Sequence, residues 1–245
     1  MATVPGIVFV PSVQHTGTWF IIRFLQNFFP SVIEADKVWK HKTLPELPCI
    51  LHSHFPIIHR PEIQIDMDWW SRRQMALKDR FLDLRTIELL VGMFKTIIPV
   101  RDPLAAILTR ETREPQLRHF FIVDGFVELA QRFRHHPNVV FLPVDLPWDE
   151  QKRRKMLIKV LKHVGGHPNN EENKEIIDKW AIDWRPENKT PGNQLKEFYQ
   201  QGDIDKILYY LGPKRAEVKY LSNMAAIIHP FLVDLGYTKG DINLW

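Results

Sequence analysis

The stretch Ile7-Val8-Phe9-Val10-Pro11-Ser12-Val13-Gln14-His15-Thr16-Gly17-Thr18-Trp19 decides the reading of the fold. Gly6 to Val10 is a short β-branched and aromatic run, apolar on both faces, which predicts a central parallel strand ending at Pro11. A polar loop containing Gly17 follows. From Thr18 to Phe29 apolar residues occupy most of the circumference of a helix, so this segment is expected to pack deep against a sheet. Strand, loop and helix in that order form the opening unit of an α/β fold.

The same alternation continues outward. Cys49 to His52 reads as a second strand after a polar connection, and Lys78 to Phe94 carries helical spacing in Phe81, Leu82, Leu84, Ile87, Leu89, Leu90 and Met93. Thr96 to Val100 is a third strand. It turns sharply at Arg101-Asp102 into a helix whose first turn holds Pro103, where a missing N–H costs nothing. His119 to His135 is a further helix and Val139 to Leu142 a fourth strand. Asp149 to Val164 is a helix with Lys152, Arg153, Arg154, Lys155, Lys159 and Lys162 on an outer, solvated face. Beyond Gly165-Gly166 the chain turns polar and then helical to its end, with no internal repeat and no low-complexity tract. The expectation is an α/β protein with a parallel central sheet, helices on both faces and a helical C-terminal third, organised as a single domain over residues 1–245.

Composition bounds the function. At 245 residues, 44% hydrophobic and 25% charged, the chain can bury one substantial core. A net charge of +4 and a pI near 9.1 suit an anion of nucleotide size; so small an excess does not call for nucleic acid as a partner. Cys49 is the single cysteine, so no intrachain disulfide forms, and its position at the start of a strand suits a small buried residue better than a reactive thiol. The chain shows no basic-then-apolar signal pattern and no apolar run long enough to span a bilayer, which leads to the expectation of a soluble, intracellular protein.

Three places carry chemistry. The loop around Gly17, opening onto a helix at Thr18, is a potential anion trap, because amides at a helix start lack intrahelical partners and the helix dipole favours negative charge; a plain structural turn is the other reading. It is not a Walker A loop, since the lysine of that pattern is absent. His52 and His54, two apart on or just past a strand, point the same way. With His59 they are candidates for a metal site; otherwise they are a buried structural pair, or one of them is a base. Arg101 offers a fork of donors to a phosphate, to which Thr109 can add a hydroxyl, and the alternative there is an Arg-Asp pair at a helix start.

Taken together, Val10 to Trp19, Ile50 to Pro56 and Ile97 to Thr109 resemble the sulfotransferases that use 3′-phosphoadenosine 5′-phosphosulfate (PAPS), whose fold is similar to that of P-loop NTPases. Gln14-His15-Thr16-Gly17-Thr18-Trp19 is similar to the family's Lys-Ser-Gly-Thr-Thr-Trp loop. The resemblance implies that Thr16, Gly17 and Thr18 line the 5′-phosphosulfate, with Gln14 in place of a lysine, His15 as a nearby cation when protonated, and Trp19 against the adenine. Ile50 to Pro56 is similar to Lys-Thr-His-Leu-Pro, which implies His54 as general base and sets His52 where the family has a second lysine. Arg101-Asp102-Pro103 with Thr109 resembles the segment that holds the 3′-phosphate. Val139 to Asp145 resembles a strand ending in Tyr-Glu-Asp, whose acidic residue is structural, so Asp145 is not assigned to catalysis. The family's late cofactor loop has only weak counterparts, at Lys189-Thr190-Pro191-Gly192 and at Lys214-Arg215.

The resemblance therefore implies transfer of a sulfonate from PAPS to a hydroxyl or amine, leaving 3′-phosphoadenosine 5′-phosphate (PAP), with no metal required. Two other classes fit the same sheet: a kinase-like transferase using a nucleoside triphosphate, and a nucleotide-binding protein without activity, to which the two replaced lysines point. Arg60 to Arg73, with Trp69 and Trp70, is a candidate cover for an acceptor pocket of unspecified chemistry.

Overall fold

A computed structural model describes residues 6–13, 16–35, 46–55, 82–109, 121–146, 148–184, 197–198, 201–212 and 215–238. The strands β1 (Ile7–Ser12), β2 (Ser31–Glu34), β3 (Cys49–His54), β4 (Lys95–Val100) and β5 (Val139–Pro143) form one sheet of order β2-β3-β1-β4-β5, every pair parallel. The helices are α1 (Thr18–Leu25), α2 (Leu84–Met93), α3 (Pro103–Thr109), α4 (Phe121–Glu128), α5 (Glu150–His163), α6 (Glu171–Ile182), α7 (Ile204–Leu211), α8 (Arg215–Asn223) and α9 (Ala225–Asp234). A π-helical turn at Leu129–Phe133 continues α4 directly.

The strands bury both faces, and alternate residues divide between two cores. Val8, Val10, Ile50, Ile97 and Leu142 pack with Ile21 and Phe24 of α1, Leu157 and Leu161 of α5 and Ile177 of α6. Phe9, Cys49, Leu51, Ile98 and Val100 pack on the other side with Ile87 of α2, Leu104 and Ile107 of α3, Phe126 of α4, Val218 of α8 and Phe231 of α9. The run read as apolar on both faces is thus divided residue by residue between two helical layers. Cys49 is fully buried, as its strand position suggests, and burial raises its thiol pKa.

Several boundaries differ from the sequence reading, each for a local reason. β1 runs past Pro11 to Ser12, because pairing of Pro11 with Ser53 and Ser12 with His54 carries the strand beyond the N–H that proline lacks. β3 likewise reaches His54. α1 stops at Leu25 rather than Phe29: the Asn27 side chain donates to the carbonyls of Arg23 and Phe24 at 3.1 and 2.8 Å, closing the last turn. Phe28 and Phe29 remain in the core outside the helix. α2 begins at Leu84, where Asp83 accepts from the Thr86 amide at 2.8 Å; residues 78–81 lie outside the described residues. β2, only four residues at the sheet edge, is absent from the sequence reading.

The connections place the site. The chain leaving β1 enters α1 on one face, and the chain leaving neighbouring β4 enters α3 on the other. Where adjacent parallel strands send their chains to opposite faces, a crevice opens at their C-terminal ends, the usual ligand position in such sheets.

Candidate functional site

Gly17 adopts φ 89° and ψ 27°, left-handed backbone that suits glycine and turns the chain from β1 into α1. A Cβ there would stand 3.0 Å from a methyl of Val144, so the turn also sits tight on the segment after β5. Val144 in turn donates its amide to Val100 O at 2.9 Å, at the end of β4. The turn after β1 and the turn after β4 thereby share a neighbour.

The start of α1, like that of α9 at Met224, has no side-chain cap. Asp83, Asp149, Asn170 and Asp203 cap α2, α5, α6 and α7 with their side chains, whereas Gly17 has no side chain to cap α1. The first amide to find an acceptor inside the helix is that of Phe20, on Gly17 O at 3.1 Å. The amides of Thr18 and Trp19 precede it at the positive end of the helix and have no intrahelical acceptor.

Both threonine hydroxyls turn inward. Thr16 is fully buried and donates to Val13 O at 2.6 Å, and Thr18 donates to Ser12 Oγ at 2.7 Å. What this turn offers an anion is backbone N–H. Ser12 passes the connection on, for its Oγ lies 3.0 Å from His54 Nδ1 across the β1–β3 pairing. With its Oγ accepting from Thr18, Ser12 can also accept from Nδ1–H, and that tautomer makes Nε2 the basic nitrogen of His54. Burial depresses the His54 pKa below its ordinary 6.5, and neighbouring His52 adds to the effect; the Ser12 carbonyl and Glu34 oppose it. The imidazole is accordingly unprotonated at neutral pH.

His52 and His54 do share a strand face, and the structure brings both to the end of β3 beside α1. His52 is buried, with a ring 5.7 Å from that of Trp19 at 59°. Trp19 itself is 53% exposed: position two of α1 faces outward, and its ring lies tilted beside that of His52. Gln14, His15 and His59 lie outside the described residues, as do Trp69, Trp70 and residues 189–192. Among the described residues, no three His, Cys, Asp or Glu side chains gather as a metal-holding group.

Arg101 and Asp102 follow β4 at the other side of the crevice, both buried. Asp102 does start a helix, its Oδ1 accepting from the Leu104 amide at 3.0 Å. Asp145, after β5, holds the turn: its Oδ2 accepts the Asp102 amide at 2.9 Å and lies 3.8 Å from Arg101 Nε, while its Oδ1 accepts the Tyr237 hydroxyl at 2.6 Å. Burial, and next the Asp145 carboxylate, raise the Asp102 pKa well above the usual range, and burial raises that of Asp145 against the pull of Tyr237. Thr109 ends α3, its side chain outside what the structure describes. The Asp145 position agrees with a structural part.

Sequence reasoning missed Ser12, Glu34 and Tyr237. Ser12 is visible as a polar residue ending β1, but only the strand pairing sets it against His54. Glu34 sits on the missed edge strand in register with His52. Tyr237 comes from 92 residues beyond Asp145 with no local signal. Comparison of the chain with protein-family models, with curated proteins and with solved structures gave no match. Among the described residues no helix is long and apolar enough to cross a membrane.

Proposed function

We propose that this protein is a PAPS-dependent sulfotransferase, with the nucleotide lying across the C-terminal ends of β1 and β4. The observation that carries the reading is the uncapped start of α1 tied by Thr18 and Ser12 to the imidazole of His54. An anion-binding helix end and a neutral base stand side by side, which transfer of an anionic group to a protic acceptor requires.

His54 Nε2 takes the proton of the acceptor hydroxyl or amine as the acceptor oxygen or nitrogen bonds to sulfur. The bond from sulfur to the bridging phosphate oxygen breaks, and its electron pair leaves on the 5′-phosphate of PAP. The Thr18 and Trp19 amides receive that growing charge, as preorganised donors do in other acyl- and phosphoryl-transfer sites. Arg101 binds the 3′-phosphate and so separates PAP from AMP. His52 stands where an added cation would assist, in the place of the lysine that the resemblance leads one to expect.

The test is ligand-dependent thermal stabilisation followed by turnover. PAP at roughly 100 times its Kd should stabilise the protein by about 2.7 kcal/mol, and AMP or ATP with Mg²⁺ at the same concentration by less. PAPS incubated with simple phenols, alcohols and amines should release PAP. Preference for ATP with Mg²⁺ would point to the kinase-like class, and PAP binding without PAP release from PAPS to a nucleotide-binding protein without transferase activity.

A further inference from the structure

The helical last third, expected to cover one side of the sheet and to contribute loops to the site, closes in a residue that reaches the turn after β4. α9 closes with the paired hydrogen bonds of a Schellman turn: the Tyr237 amide donates to Leu232 O at 3.1 Å and the Gly236 amide to Val233 O at 2.9 Å. Gly236 supplies the positive φ of 98° that this turn needs. The turn drives the Tyr237 ring into the core, where it is 3% exposed, and brings its hydroxyl to Asp145 Oδ1 at 2.6 Å and within 3.4 Å of Val100 O.

Asp145 is thus held by two donors of distant origin, one on each oxygen. The Tyr237 hydroxyl occupies Oδ1 and the Asp102 amide Oδ2, which fixes the carboxylate plane, and that plane presents Oδ2 to Arg101 Nε at 3.8 Å. The guanidinium has four further N–H groups whose direction follows from where Nε points. Loss of the tyrosine hydroxyl would leave an oxygen of a half-buried carboxylate without its protein donor, and the carboxyl would rotate or take a proton to relieve it.

We infer that Tyr237 is a positioning residue of the anion site: through Asp145 it sets the direction of Arg101, and with it the discrimination for a nucleotide bearing a 3′-phosphate. The inference rests on the reading of Arg101 as the 3′-phosphate ligand given above. Tyr237 keeps its proton throughout the working range, since burial and the adjacent Asp145 carboxylate push its pKa well up, so it acts as a donor only.

Affinities for PAP and AMP, measured calorimetrically on the full chain and on Tyr237→Phe, test the inference. Tyr237→Phe should weaken PAP binding about tenfold, the size expected for loss of a hydrogen bond to a charged group, and change AMP binding less than about twofold. Ile228→Val, a small truncation in the core of the same helix, serves as the stability control and should leave the ratio of the two affinities as in the parent. If the parent prefers PAP and Tyr237→Phe keeps the full preference, or if both variants weaken PAP and AMP alike, the positioning role is wrong while Arg101 stands. If the parent itself does not distinguish PAP from AMP, the reading of Arg101 fails and the inference falls with it.

Discussion

An imidazole serves as a base only while unprotonated, and at His54 the surroundings ensure that at neutral pH. The pKa is pushed below 6.5 chiefly by burial. Activity should therefore be constant from about pH 7 upward and fall as the pH drops through a value under 6.5, because protonation removes the Nε2 lone pair. A kcat/KM profile over pH checks this, and His54→Ala should lower turnover by about 10²–10⁴-fold while leaving PAP affinity nearly unchanged. Asp102 makes the opposite case. Its folded pKa lies well above the ordinary 3.8, so above that value the folded state holds a proton that the unfolded chain has released. The contribution of Asp102 to stability is then greatest at low pH and declines as the pH rises toward its folded pKa, with Asp145 contributing in the same direction and Arg101 opposing the shift. Urea melts of Asp102→Asn across that range should show a flatter dependence than the parent, since the amide keeps the acceptor for Leu104 and does not titrate. A slope equal to the parent's would move the proton elsewhere.

At the scale of elements, the turn after β1 is held by close approach. Gly125 of α4 packs so near the end of β1 that a Cβ would come within 2.6 Å of a Val13 methyl, and valine has little rotamer freedom with which to yield. Gly125→Ala should cost about 1–3 kcal/mol through overpacking, read by urea denaturation, and Val13→Ala in the same chain should restore part of it. A simple gain in stability from replacing a helical glycine would show that α4 moves without strain. The same contact explains how a helix far along the chain reaches the loop between β1 and α1: α4 packs on Val13, two residues after Pro11 and four before Gly17. The π-helical turn that extends α4 keeps Leu129 and Phe133 buried on the same face of the sheet.

For the whole molecule, the decisive arrangement is the divergence of chains from β1 and β4. It puts Gly17 and Arg101 at one sheet edge, with Val144 between them. Arg101→Ala should abolish any preference for PAP over AMP in thermal-shift titration while leaving AMP stabilisation intact, since the proposed function assigns the guanidinium to the 3′-phosphate alone. Persistence of the preference would place the 3′-phosphate elsewhere.

Much of this was readable from residues. The four strands other than β2, both histidines on one face, the helix start at Pro103 and the buried cysteine follow from alternation, propensity and side-chain direction, which are local properties of a chain. β2 escaped because three half-buried residues and one exposed one carry little periodic signal. The end of α1 escaped because Asn27 competes for backbone carbonyls in a way that apolar spacing does not register. The hydrogen-bonded line from Thr18 through Ser12 to His54, the seating of Trp19 beside His52 and the reach of Tyr237 to Asp145 depend on which strand lies beside which and on how the last helix closes. Apart from the six-residue step from Thr18 to Ser12, those are contacts between residues tens of positions apart, selected by the packing of two helical layers on one sheet. Local pattern determines which faces must be buried; only the folded arrangement decides which polar groups the burial leaves facing one another.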